Sequence, residues 1–246
     1  IVDSQSRDVM VNNRRIGLSL TGIAQFLGKH SQRVLVDWME YGYQLTAYYD
    51  QLYSQWLDVP ESIRRTTIKP SGSVSILSGA TPGIHFPISR YYLRRVILPP
   101  ESTMLVPLEQ AGYALEPSIF GSGYVVSFPC DVGEGVPSET EVGLEEQCRM
   151  AALAARHWSD NAVSFTAKFP RTISPSNLQD VVERYQYQLK SMSFLPQSEH
   201  GYEQAPYEAI TGKQYIEYSE RLKPLDLQQS THQVDDKFCD TDVCLI

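Results

Sequence analysis

Short β-prone runs alternate with segments of helical period along most of this 246-residue chain, and that alternation constrains its fold more than any other feature. Residues 66–68, 91–98, 124–128, 161–169 and 193–195 read as strands, rich in Val, Ile, Thr, Tyr and Phe. Helices are expected over 31–57, 102–113, 139–157, 176–190 and 206–222, and residues 15–28 as a short buried helix or a turn into one. Strands and helices in alternation predict α/β architecture with a largely parallel sheet. In the first long helix Ser31 is the expected N-cap and Pro60 the stop. Val34, Trp38, Tyr41, Leu45, Tyr48, Leu52 and Trp56 recur every three or four residues there, and this aromatic face is predicted to be core rather than a platform for stacking bases. From Lys223 the periodicity fades into polar residues, which reads as a flexible tail over 223–246 behind a body of residues 1–222.

Composition narrows the function classes. With 42% hydrophobic residues the chain has material for a core, and no run approaches the roughly 18 apolar residues of a membrane span. The net charge of −8 is uneven: residues 1–100 hold 11 Lys and Arg against 7 Asp and Glu, and the remainder 10 against 22. That balance argues against nucleic acid as a partner, while the basic first part suits a small anion. The five histidines show no H-x-x-x-H spacing and no C-x-x-C accompanies them, so no metal site is expected. There is no G-x-G-x-x-G, Walker A or G-x-S-x-G motif either. Residues 1–7 lack an initiator Met, a basic n-region and an apolar h-region, and the expectation is a fragment rather than a leader. Cys130 and Cys148 lie in apolar or helical surroundings and are expected to be buried hydrophobes.

Chemistry is most visible at Pro70-Ser71-Gly72-Ser73-Val74-Ser75, which joins a strand to an expected helix. Small residues leave backbone N–H groups approachable, three serine hydroxyls add donors, and such a turn suits phosphate. An ordinary strand–helix turn has the same composition, and Lys69 beside it is equally a solvated lysine.

Four blocks then carry a resemblance: residues 13–22 (NRRIGLSLTG), 67–85 (TIKPSGSVSILSGATPGIH), 158–166 (WSDNAVSFT) and the terminal C-x4-C of Cys239 and Cys244. In this order they are similar to the adenosylcobalamin-dependent ribonucleoside-triphosphate reductases, the monomeric class II ribonucleotide reductases. The resemblance implies the C-terminal part of a ten-stranded α/β barrel. It also implies reduction of ribonucleoside triphosphates to deoxyribonucleotides for DNA synthesis, in the cytoplasm, by a cobalamin-initiated thiyl radical with thioredoxin as reductant. The family's radical cysteine lies in an Asn-Pro-Cys-x-Glu loop that is absent here; residues 128–132 (FPCDV) are the nearest string and lack its Asn and Glu, so Cys130 is not taken as that cysteine. The deoxynucleotide effector site is likewise expected upstream.

By the same resemblance the triphosphate is expected at Ser71, Gly72, Ser73, Val74 and Ser75. Adenosylcobalamin is expected against two stretches, Ser73 to Glu134 and Ser193 to His232, with Gly83, His85, Gly121 and Gly123 as candidate contacts; for each of these an ordinary turn is the alternative. Cys239 and Cys244 are expected to be a redox shuttle pair meeting thioredoxin, against a stray terminal pair or a metal clip. Two other readings remain: a nucleotide- or thioredoxin-binding segment without catalysis, and an anaerobic glycyl-radical reductase, against which Ser198 stands three residues before Gly201-Tyr202 where Arg is needed.

Overall fold

The computed structural model describes residues 3–72, 75, 78–197 and 202–226. Two compact units divide it: residues 1–90 with 131–200, and residues 91–130 with 201–246.

The first unit is a parallel ladder with helices packed on it. Helix α1 (Ser4–Asn13) starts where the Asp3 carboxylate accepts the Ser6 N–H at 2.7 Å, and it stops at Arg14, whose φ of 41° breaks the helical run. Strand β1 (Arg15–Ser19) and the short helix α2 (Ile23–Leu27) follow, then α3 (Gln32–Trp56), with Ser31 as its cap as the sequence predicts. Strand β2 (Arg64–Thr67) pairs in parallel with β1, and Ile68 just beyond it bridges in parallel to Val163. Helix α5 (Leu144–His157) leads to β6 (Thr166–Phe169), and α6 (Pro175–Tyr185) leads to β7 (Ser193–Pro196), which pairs in parallel with β6. The core gathers on α5, whose small side chains Cys148, Ala151 and Ala154 let Leu35 and Met39 of α3 and Val181 and Tyr185 of α6 close in.

Helix α3 corrects the sequence reading. Its buried residues are Leu35, Met39 and Ser54, whereas Trp38, Tyr41, Tyr48 and Trp56 are 58–70% exposed. Periodicity identified an apolar face correctly, but the residues that bury the helix lie on a second, weaker stripe, and among the described residues the aromatic one stays largely exposed, with Phe26 meeting only Trp38 at its start. An open groove of about 510 Å³ runs beside that stripe, lined by Ile16 and Leu18 of β1 and by Leu45, Tyr49 and Tyr53 of α3.

The second unit is a four-stranded sheet in the order β4 (Leu115–Pro117), β5 (Tyr124–Asp131), β3 (Tyr91–Leu98), β8 (Tyr207–Ala209). Its β4–β5 and β3–β8 pairs are antiparallel, so the parallel expectation holds only in the first unit. Helix α4 (Leu105–Gln110) is shorter than the expected 102–113. The expected helix over 206–222 is instead β8 followed by α7 (Gly212–Ser219), because Thr211 and Gln214 form a reciprocal capping box that starts the helix late.

Candidate functional site

Three of the four sequence blocks meet in the first unit. Strand β1 lies along β2, and the turn after α5 is clamped onto the same strand. Thr66 Oγ1 donates to the Trp158 carbonyl, Trp158 Nε1 donates to the Thr67 carbonyl at 2.8 Å, and Asn161 Nδ2 donates to the carbonyls of Thr66 (2.8 Å) and Ile16 (3.1 Å). Asp160 ties in α3: its carboxylate accepts from Tyr43 Oη at 2.8 Å and from the Arg65 N–H at 2.9 Å. The Asp160 bond raises the Tyr43 pKa. Nearby, burial pushes the Asp50 carboxyl up, but the hydroxyl and N–H of Ser62 and the guanidinium of Arg65 outweigh it, leaving the pKa below its ordinary value.

This frame carries the chain out of β2 through Ile68 and Lys69 into the expected phosphate loop. The Lys69 N–H is held by Ser19 Oγ at 2.9 Å, and the lysine itself is exposed. Of the five loop residues, Ser73 and Val74 lie outside the described residues. The other three change the picture of their donors. The Gly72 N–H already bonds the Pro70 carbonyl at 3.0 Å, and both the N–H and the hydroxyl of Ser75 donate to the Ser71 carbonyl. Ser71 Oγ lies 2.9 Å from Thr21 Oγ1. Hydroxyl donors that the sequence reading assigned to a ligand are therefore engaged within the protein at Ser75. Gly72 itself is open, since a Cβ there would meet nothing within 4 Å.

The four candidate cobalamin contacts divide sharply. A Cβ on Gly83 would sit 2.6 Å from the Lys69 carbonyl oxygen, and one on Gly123 would sit 2.7 Å from that of Leu98, so both glycines serve the chain's own packing. His85 is engaged through both ring nitrogens: Nδ1 lies 3.2 Å from the Pro82 carbonyl and Nε2 accepts the Thr166 N–H at 3.2 Å. Burial lowers its pKa, and the neutral tautomer with the proton on Nδ1 satisfies both bonds. Gly121 alone has open space around it, in a turn where Ile119 and Phe120 are exposed and Phe120 meets the exposed Tyr202 edge to face. Gly83 and His85 belong to the first unit, Gly121 and Gly123 to the second. His232, Cys239 and Cys244 lie outside the described residues, as do parts of the second cobalamin stretch (198–201 and 227–232).

Neither described cysteine has an activated thiol. Cys148 is fully buried and its thiol is pushed up to about 11 by burial; burial also raises the half-buried Cys130, next to last in its strand and beside Tyr92. Among the described residues no cluster of His, Cys, Asp and Glu suits a metal ion, and no helix is long and apolar enough to cross a membrane.

No family model matches the chain. It is 42% identical to a probable adenosylcobalamin-dependent ribonucleoside-triphosphate reductase of Dictyostelium discoideum, over 97% of this chain and 32% of that protein. Over nearly its whole length the chain is similar to adenosylcobalamin-dependent ribonucleoside-triphosphate reductases. The reductase of Euglena gracilis is 38% identical over 98% of the chain and 34% of its own length. A crystal structure of a B12-dependent class II ribonucleotide reductase superposes with a TM-score of 0.80 at 28% identity, covering 96% of this chain and 37% of that one. The chain thus spans about a third of the length of the curated relatives it matches, and its fold is the α/β fold of the class II enzyme.

Sequence reasoning missed Thr21 and Gln25, which hold the two ends of the loop, and Asp160 and Asn161, which hold the strand it springs from. The signal was present in part: Thr21 lies in the first resembling block, and Asp160 and Asn161 in the third.

Proposed function

We propose that this chain is the C-terminal third of a monomeric reductase that converts ribonucleoside triphosphates to deoxyribonucleoside triphosphates in the cytoplasm, with adenosylcobalamin as cofactor and thioredoxin as reductant. Residues 1–222 belong to its catalytic barrel and 223–246 to a redox tail, with the radical cysteine and the effector site in the part this chain lacks. The observation that carries the reading is the convergence of the first three sequence blocks on β2, at the root of the Ser71–Ser75 loop.

In this reading the loop receives the triphosphate beside Gly72, the open position. Asp160 and Asn161 hold the strand from which the loop springs. The cofactor supplies radical initiation when bound. Of the residues proposed for it, the turn at Gly121 with Phe120 and Tyr202 fits a large, partly apolar ring, because it presents a surface without a Cβ beside uncovered aromatic faces. Gly83 and Gly123 are needed for close approach of the chain's own carbonyls, and both His85 ring nitrogens are engaged by the protein, which favours the Gly121 turn among the four.

The test is Gly72→Val in the full-length enzyme containing this segment. Among the described residues outside its chain neighbours nothing lies within 4 Å of a Cβ there, so the fold is expected to stand while the KM for the ribonucleoside triphosphate rises at least tenfold. An unchanged KM removes the triphosphate from this loop.

A further inference from the structure

The Thr21 hydroxyl has one proton and two lone pairs, and all three are engaged. It donates to the Thr81 carbonyl at 2.8 Å, accepts the Gly83 N–H at 3.1 Å, and lies 2.9 Å from Ser71 Oγ. With its own proton committed to Thr81, the third contact makes Ser71 the donor. One turn further on, Gln25 brackets the same stretch: Nε2 donates to the Gly79 carbonyl at 2.8 Å and Oε1 accepts the Thr81 N–H at 2.8 Å. The Gly22 N–H adds a bond to the Thr81 carbonyl at 2.8 Å. Residues 21–25 therefore hold the chain both where it enters the loop, at Ser71, and where it leaves, at 79–83. Gly72, with open space in place of a side chain, follows directly on the entry point.

We infer that Thr21 is a positioning residue for the substrate's triphosphate, acting through Ser71 and Gly83 and not by touching the substrate. This rests on the reading of Ser71–Ser75 as the phosphate loop. A single threonine hydroxyl joins Ser71 at the loop's entry to Thr81 and Gly83 at its exit, so those ends are held together before the ligand arrives and binding need not supply that constraint. An interaction of this kind acts equally on bound substrate and transition state, so its loss appears in KM and not in kcat. Valine matches threonine in shape but offers neither donor nor acceptor, whereas serine keeps the hydroxyl.

The experiment is steady-state reduction of CTP by the full-length enzyme with dithiothreitol as reductant, comparing Thr21→Val, Thr21→Ser, Ser71→Ala and Gly72→Val. Thr21→Val is expected to raise the KM on the order of tenfold, with kcat within about twofold, and Thr21→Ser to restore it. Ser71→Ala, which cuts the same hydrogen bond from its other end, should raise KM similarly, and the double variant should be no worse than Thr21→Val alone. An unchanged KM in Thr21→Val beside a raised KM in Gly72→Val overturns the positioning role and leaves the phosphate loop standing. Unchanged KM in both overturns the loop and the inference together. A fall in kcat at constant KM also overturns the role. If Thr21→Val fails to fold, Ser71→Ala decides, and an unchanged KM there rejects the proposal.

Discussion

His85 shows how little a residue's type says about its work. A histidine following Pro-Gly-Ile in a block of strong family resemblance looks like a cofactor contact, yet it joins the loop at Pro82 to the start of β6 at Thr166. The bond from the Thr166 N–H requires an unprotonated Nε2, and burial holds the pKa below its ordinary value of 6.5. The unfolded chain therefore binds a proton more readily than the folded one on the acid side of neutrality. Stability from this residue is complete above about pH 6.5 and is lost as pH falls from there through the lower folded pKa. Urea midpoints taken between pH 7.5 and pH 5 should fall less steeply for His85→Gln than for the parent sequence. Equal slopes would show that folding does not shift the His85 pKa over that range.

At the scale of elements, helix caps and strand chemistry were legible and lateral partners were not. Ser31 caps α3 where the sequence predicts it, and Tyr91–Leu98 is a strand over its whole expected span, because hydroxyl capping and β-branched runs are local effects. The face of α3 that meets the core is a tertiary matter. Met39 is 1% exposed and packs under α5, while Tyr48 on the aromatic stripe is 58% exposed. Met39→Ala should cost about 2–5 kcal/mol in the unfolding free energy of this chain. Tyr48→Ser should stay within about 0.5 kcal/mol. A large loss at Tyr48 in chemical denaturation would mean that its face is covered after all.

For the whole molecule, the proposed shuttle pair gives the sharpest prediction. In the full-length enzyme, Cys239→Ser or Cys244→Ser should abolish multiple turnover with thioredoxin, leave a single turnover by pre-reduced enzyme, and largely preserve activity with a small dithiol. Undiminished thioredoxin-driven turnover in either variant would reject the shuttle. The sequence by itself determined the α/β class and the resemblance to the class II reductases, and it marked the stretch proposed as a phosphate loop, because these rest on local propensity and on short ordered blocks such as residues 67–85 and 158–166. Only the tertiary structure decided which members of those blocks are free to act. Hydrogen-bonding capacity and space are finite: Ser75 and His85 use theirs on their own chain, Gly83 and Gly123 have carbonyls where a side chain would begin, and Thr21, ordinary in sequence, stands where both ends of the loop meet. Such competition between partners distant in sequence exists only once the chain has folded.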